Sequence, residues 1–294
     1  MDTSMNKTFQ GPSLNTLSMK DFRRLGNFIH SELGIKMPDI KRGMVESRLR
    51  KRLNRLEMKS YTDYCNYLFS PQGMKNELTE FIDVVTTNKT DFFREASQFS
   101  YLTAKALPQL MGQGPARGTK KFSIWSTACS RGHEPYTLAM VLSDFADRQK
   151  TMNFSFNILA TDISTRVLKV GQKAVYDHDE IEPVPMGLRK KYLLKSRDKA
   201  RNLVRIVPKL RSMVKFRRLN LMDRESPVAE SMDIIFCRNV MIYFERNTQT
   251  ALLHRLCRYL KPGGYLFVGH SEVLQGNEFP LVSPEATIYQ KISQ

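Results

Sequence analysis

The residues able to do chemistry in this chain stand where apolar runs end. Phe122-Ser-Ile-Trp-Ser126 is a short run with alternating large side chains, followed by a small-residue turn, Thr127-Ala-Cys-Ser-Arg-Gly132. After Glu134-Pro135, Leu138, Val141, Leu142 and Phe145 recur at helical spacing. The run reads as a buried strand. Proline suits a helix's first turn, because its missing N–H would be unpaired there anyway. Strand, tight turn and helix form the entry unit of a Rossmann-like sheet, whose turn lets a small polar ligand approach the helix N-terminus. A second apolar run, 156–162, closes on Asp162, where such folds place an acid that accepts ribose hydroxyls. Two further runs end at Asn220-Leu221 and Arg238-Asn239.

These residues bound the ligand. The opening turn holds one glycine, Gly132, where a pyrophosphate site needs the spacing Gly-x-Gly-x-x-Gly. No Arg or Lys adjoins Asp162 to meet a 2′-phosphate. A nucleoside without phosphates fits better, if it carries a cationic amino-acid tail for Glu134 to pair with. S-adenosylmethionine is such a molecule. Taken alone, the turn reads first as an ordinary crossover and Asp162 is equally a structural acid; it is their combination that favours a cofactor.

Stepping outward, residues 1–15 are polar, rich in Gly, Ser, Thr and Asn and without periodicity, and are expected to form a disordered tail. Residues 16–85 read as a small all-α domain. Ser18-Met-Lys-Asp21 is an N-cap signal, with Phe22, Leu25, Ile29 and Leu33 on one helical face. Residues 86–100 read as a linker that packs inward and contributes to the active site. Residues 101–294 alternate strand and helix, which predicts a mostly parallel sheet covered on both faces. At about 176–214 prolines and a cationic run (Arg189, Lys190, Lys191, Lys195 and Arg197 among them) break the rhythm, which predicts an inserted antiparallel β subdomain. The helix 248–260 is expected to stop at a turn, Lys261-Pro-Gly-Gly264, with strands at 265–270 and 286–292, the last running antiparallel.

Composition narrows the function classes. The chain carries 46 Lys and Arg against 29 Asp and Glu, a formal charge of +17, which implies an anionic partner. In the second helix Arg48, Lys51, Arg52, Arg55 and Lys59 fall within roughly 100° of one another at about 100° per residue. They form either a solvated face or a docking surface for an acidic partner. No run of about eighteen apolar residues exists, so no membrane insertion is expected. The polar N-terminus lacks a signal-peptide core, which points to the cytoplasm. The four cysteines, Cys65, Cys129, Cys237 and Cys257, lack metal-ligand spacing and read as buried thiols; no metal is expected.

Four blocks carry a family resemblance: Thr86-Thr-Asn88-Lys-Thr90-Asp-Phe-Phe-Arg94-Glu95, Ala128-Cys-Ser-Arg-Gly-His-Glu134-Pro-Tyr136, Phe236-Cys-Arg-Asn-Val-Met-Ile-Tyr243-Phe244, and Leu260-Lys-Pro-Gly-Gly264 with Gly269-His-Ser-Glu272. In order and at similar spacing, they resemble the chemotaxis receptor methyltransferases, the CheR family. The resemblance implies a Rossmann-like class I S-adenosylmethionine-dependent methyltransferase domain behind the all-α domain. It also implies an enzyme that forms glutamate methyl esters on the cytoplasmic helical bundle of chemoreceptors and releases S-adenosylhomocysteine. Asn88, Thr90, Arg94, Glu134, Asp162, Asn220, Leu221, Arg238 and Asn239 match family positions around the cofactor, and Arg94 and Tyr243 positions proposed to handle the substrate. His133 stands where the family commonly has a carboxylate.

A glutamate side chain, with a pKa of about 4.3, is already ionised at neutral pH. It needs desolvation and in-line placement rather than a general base. Arg94 is the candidate fork for one carboxylate oxygen while the other attacks, with the Tyr243 hydroxyl orienting it. Under this reading Arg48, Lys51, Arg52 and Arg55 dock the receptor. The charge alone also suits a nucleic-acid methyltransferase, but no Asn-Pro-Pro-Tyr or Pro-Cys motif is present, so no nucleic-acid partner is expected. A cofactor-binding adaptor without turnover is the third possibility, and the intact Asn88, Thr90 and Arg94 argue against it.

Overall fold

The computed structural model describes residues 16–112, 120–148, 154–198, 200–223, 231–274 and 278–292. The expected tail, 1–15, lies outside them. The chain divides into two compact units between Thr86 and Thr87.

The first unit is helical: α1 (Met19–Leu33), α2 (Arg42–Arg55), α3 (Tyr61–Leu68), α4 (Pro71–Asn76) and α5 (Leu78–Val85). Its starts are written in serines. Ser18, Ser60 and Ser70 each accept the backbone N–H three residues on, satisfying donors that a helix's first turn leaves unpaired. Phe22, Leu25, Ile29 and Leu33 of α1 and Val45, Leu49 and Leu53 of α2 are all buried.

Two of the four expected docking cations, Arg48 and Arg52, also have partners inside this unit. Arg52 grips Glu77 with both Nε and Nη2, at 2.5 Å each, and lies 3.5 Å from Glu80. Tyr64 also donates to Glu77, whose side chain is 1% exposed. Arg48 donates to the carbonyls of Val85 (2.6 Å) and Thr86 (3.2 Å), serving the open end of α5. Lys51 and Arg55 are exposed. The acids that pair Arg52 come from the far end of the unit, where a count along its own helix could not find them.

The second unit begins with α6 (Ala96–Tyr101), which runs through a wide π turn, Leu102–Ala106, into α7 (Leu107–Gly112). A seven-stranded sheet follows, with strands β1 (Lys120–Thr127), β2 (Phe154–Asp162), β6 (Val214–Arg218), β7 (Met232–Cys237), β8 (Leu260–Val268), β9 (Leu281–Glu285) and β10 (Ile288–Lys291). Their spatial order is β6-β2-β1-β7-β8-β10-β9. β6, β2, β1, β7 and β8 run parallel, and β10 is antiparallel to both β8 and β9. The helices α8 (His133–Arg148), α9 (Thr165–Lys173) and α12 (Arg246–Tyr259) pack on this sheet. The core runs through Phe122 and Ile124, Phe156 and Ile158, Ile234 and Phe236, and Phe267. Phe99, Phe236 and Phe267 form a stack, with centroids 5.7 and 4.4 Å apart.

Between α9 and β6 lies a second, antiparallel sheet of β3 (Val175–Asp177), β5 (Leu203–Ile206) and β4 (Leu193–Lys195), in that order, with α10 (Met186–Tyr192) and α11 (Pro208–Ser212) beside it. Two details differ from expectation. α12 passes directly into β8, and Lys261-Pro-Gly-Gly264 lies inside that strand as an irregular stretch rather than a separate turn. Strand β9, missed by the sequence reading, carries mostly exposed side chains, so it lacks the apolar alternation that marks a strand. Asp233 is structural: it accepts the Ser123 N–H at 2.7 Å and pairs with Lys261 at 2.9 Å. All four thiols are buried, and no helix among the described residues is long and apolar enough to cross a membrane.

Candidate active site

The sheet's order reverses at β1, whose neighbours are β2 on one side and β7 on the other. The carboxyl ends of strands around such a switch point are where open α/β sheets hold ligands. The runs that end at Thr127, Asp162, Asn220-Leu221 and Arg238-Asn239 reach that edge, while Lys261-Pro-Gly-Gly264 lies at the opposite end, beside the start of β7.

The turn after β1 is strained and held. Ala128 and Ser130 both have φ 49° and Gly132 has φ 90°; a side chain in the left-handed region costs on the order of 1–2 kcal/mol. The Cys129 N–H donates to the Thr161 carbonyl at 2.8 Å. The Ser130 N–H donates to Asp162 Oδ2 at 2.8 Å, and Ser130 Oγ to the Asn88 carbonyl at 2.9 Å. Asp162 Oδ1 accepts the Ser164 N–H at 2.9 Å. Asp162 therefore shapes the turn first; an ionised carboxylate has about four lone-pair sites, so hydroxyls of a ligand can still be accepted. Asn220 follows β6 beside it: Leu219 donates to the Asp162 carbonyl at 3.0 Å, and Asn220 Oδ1 accepts the Met222 N–H at 3.0 Å. The Leu221 carbonyl is held by Arg255.

Charge is concentrated beside the turn. Glu134, in the first turn of α8, accepts Ser126 Oγ at 2.7 Å, and its other oxygen lies 3.5 Å from Arg238 Nη1. Arg238 Nη2 reaches Glu95 at 3.1 Å and donates to the Arg94 carbonyl. The guanidinium is 2% exposed and lies over the Phe99 and Phe236 rings. Burial pushes the Glu134 carboxyl above its usual range against the pull of Arg238 and Ser126. Burial also works upward on Glu95, but Arg238, Asn239 and the His270 N–H together hold it below.

Two glutamates left without a role by the sequence reading organise this edge. Glu95 accepts from Arg238, from Asn239 Nδ2 at 3.2 Å and from the His270 N–H at 3.3 Å. Glu272 accepts the N–H groups of Asn239 (2.7 Å), Gly269 (2.8 Å) and Ile242 (3.2 Å). It thereby fixes the loop carrying Asn239, whose φ is 57°, and Tyr243 on the short 3-10 turn Met241–Tyr243. A Cβ at Gly269 would stand 2.6 Å from Asn239 Nδ2 and 2.7 Å from Glu272 Oε2, so this position must be glycine. Both glutamates sit inside the quoted blocks, but what each holds lies far off in sequence or on the backbone.

Of the remaining site residues, Arg94 donates to the Lys89 carbonyl at 3.3 Å, and its charge acts on Glu134. Asn88, Thr90, Arg94, Asn239 and Tyr243 are half-buried. The unusual His133 is buried, its ring tilted against Phe92 (centroids 4.5 Å apart) and edge-on to Tyr176 (4.8 Å), with Nε2 3.0 Å from Glu180. Burial pushes its pKa down to about 4 despite Glu180. Glu180 also pairs with Arg131 at 2.8 Å. A carboxylate is thus still present at this point, supplied by the segment after β3.

A switch-point cleft with an acid after β2, a glycine-poor turn and a buried glutamate at the helix start fits S-adenosylmethionine. Glu134 suits its ammonium group and Asp162 its ribose, and Arg238 Nε is buried without a partner among the described residues. The fold and site are those of a Rossmann-like class I S-adenosylmethionine-dependent methyltransferase. Residues 88–289 match the family described as "CheR methyltransferase, SAM binding domain", and residues 20–86 match "CheR methyltransferase, all-alpha domain". The chain belongs to the CheR methyltransferase family, and S-adenosylmethionine is its cofactor. It is 39% identical over 279 residues to the chemotaxis protein methyltransferase of Borreliella burgdorferi, covering 95% of each chain. With that of Escherichia coli it shares 38% over 256 residues, 87% of this chain and 85% of the relative. Among solved structures, PKMT2 of Rickettsia typhi in complex with AdoHcy aligns with 62% of this chain and 26% of its own, at 16% identity and a TM-score of 0.36, a likeness too remote to bear on the site.

Proposed function

We propose that the chain transfers the methyl group of S-adenosylmethionine to glutamate side chains on the cytoplasmic helical bundle of chemoreceptors, forming glutamate 5-O-methyl esters and tuning chemotaxis adaptation in the cytoplasm. The observation that carries this reading is the buried Glu134–Arg238–Glu95 array at the switch point, in a chain whose relatives are chemotaxis protein methyltransferases. Asn88, Thr90, Arg94, Glu134, Asp162, Asn220, Leu221, Arg238 and Asn239 line the cofactor site, with Glu134 taking the ammonium and Asp162 the ribose hydroxyls.

Bound S-adenosylmethionine supplies an electrophilic methyl group on a sulfonium sulfur. The protein's residues then act by placement. Arg94 holds one oxygen of the substrate carboxylate in its fork and leaves the other in line for attack. Tyr243 orients the same carboxylate. No proton has to be removed, since the nucleophile is already ionised. An anion and a cation are consumed together, so excluding water from the cleft favours the step, because the reactants lose hydration that the products do not need. The exposed Lys51 and Arg55 contribute a docking surface for the acidic receptor bundle. The test is mass spectrometry of receptor peptides after incubation with enzyme and cofactor: a methyl increment on glutamate is expected in the presence of the wild-type chain and absent with Arg94→Ala. A modified lysine, or no modification, would refute the proposal.

A further inference from the structure

The cleft holds one guanidinium between two carboxylates, and the division is unequal. Arg238 lies 3.1 Å from Glu95 but 3.5 Å from Glu134. Glu95 is the better anchored of the two. It sits on backbone with φ 59°, and its oxygens are also held by Asn239 and the His270 N–H. The guanidinium is fixed from a second side by the Arg94 carbonyl and from a third by the aromatic faces of Phe99 and Phe236. Glu134 keeps a neutral donor, Ser126, at 2.7 Å, and only the more distant edge of the cation.

We propose that Glu95 is a positioning residue for cofactor binding: it draws Arg238 away from Glu134, so that the Glu134 carboxylate stays available to the cationic amino group of the ligand. With Glu95 neutral, Arg238 would settle on Glu134 and satisfy it internally, and a ligand ammonium would have to displace a buried ion pair. The charge count agrees. Two carboxylates against one buried arginine leave a net negative site, while Arg94, the other cation acting on Glu134, is half-exposed and screened by solvent. Burial of one partner of such a pair makes the loss of its counter-charge costly, which is why the position of Arg238 has to be set by something other than Glu134 itself. The inference rests on the reading of Glu134 as the ammonium partner.

The experiment compares two ligands by calorimetry on the full chain: S-adenosylhomocysteine, which has the amino-acid tail, and 5′-methylthioadenosine, which keeps the nucleoside and lacks the tail. Glu95→Gln preserves shape and removes charge. It is expected to weaken S-adenosylhomocysteine by about tenfold or more and to leave methylthioadenosine at its wild-type affinity. Equal weakening of both ligands would mean Glu95 is merely structural, and no weakening of either would overturn the proposal. Glu134→Gln is run in parallel. If it binds S-adenosylhomocysteine like the wild type, the underlying reading of Glu134 fails; if it alone loses binding, only the role of Glu95 fails. Should Glu95→Gln not fold, Glu95→Asp, which keeps the charge but withdraws it by one methylene, must show the same ligand selectivity with a smaller loss.

Discussion

Arg52→Ala is expected to unfold the helical unit rather than loosen a docking contact. Glu77 is 1% exposed, and Arg52 supplies both of its short charged hydrogen bonds. Deleting the arginine leaves a buried carboxylate with Tyr64 as its remaining close donor, since Glu80 is a like charge. Breaking a buried pair from one side costs about 3–5 kcal/mol, a large share of the roughly 5–15 kcal/mol that holds a domain folded. For a unit of this size about 1 kcal/mol shifts the melting temperature by about 4–8 °C, so a fall of at least roughly 12 °C is expected. Thermal unfolding followed by circular dichroism reads this directly. Arg52→Met combined with Glu77→Gln, which removes both charges and leaves Tyr64 an acceptor, should recover most of the loss. Lys51→Ala and Arg55→Ala lie on the exposed face and should stay within about 0.5 kcal/mol of wild type, while weakening receptor binding. The reasoning is refuted if Arg52→Ala melts with the wild type and its only defect is in receptor binding.

Three further outcomes follow from the methyltransferase unit. His133 is held near a pKa of about 4 in the folded chain, below its ordinary 6.5 or so, so the unfolded chain binds the extra proton first. The stability it contributes is complete above about pH 6.5 and is lost as pH falls towards 4, by about 2 kcal/mol between pH 7 and pH 5; urea unfolding at both values should show His133→Phe with a smaller drop than wild type. Glu272→Ala strips the acceptor from three backbone N–H groups at about 1–3 kcal/mol each where buried, and is expected to lower both thermal stability and turnover; unchanged turnover would separate the Tyr243 loop from the chemistry. Gly269→Ala forces a methyl into Asn239 and Glu272 and should weaken binding of S-adenosylhomocysteine measured by calorimetry.

How much was legible in the sequence depended on how local each cause is. Apolar runs ending in polar residues located β1, β2, β7 and the ligand edge, because a parallel strand buried on both faces must be apolar along its length. The places of Glu134 at the start of α8 and Asp162 at the end of β2 were readable because both are set by the local strand and helix pattern. Glu95 and Glu272 were not. Their partners are Arg238, Asn239, the His270 N–H and the N–H groups of Asn239, Gly269 and Ile242, and backbone donors leave no trace in residue types. The internal partner of Arg52 on the basic stripe of α2 was not legible for the same reason, since the acid that pairs it is 25 residues away. β9 was missed because it is an edge with little to bury, and Lys261-Pro-Gly-Gly264 read as a turn because its continuation as strand depends on pairing with β7.

The proposed activity is the formation of carboxylate methyl esters on receptor protein. Receptor-containing membranes incubated with the chain and S-adenosylmethionine labelled in its methyl group provide the direct measurement, with the label then released by mild base. Label on the receptor that leaves as volatile methanol is expected, abolished by Arg94→Ala with the fold retained. Base-stable label, label transferred to nucleic acid, or full transfer by the Arg94 variant would contradict it.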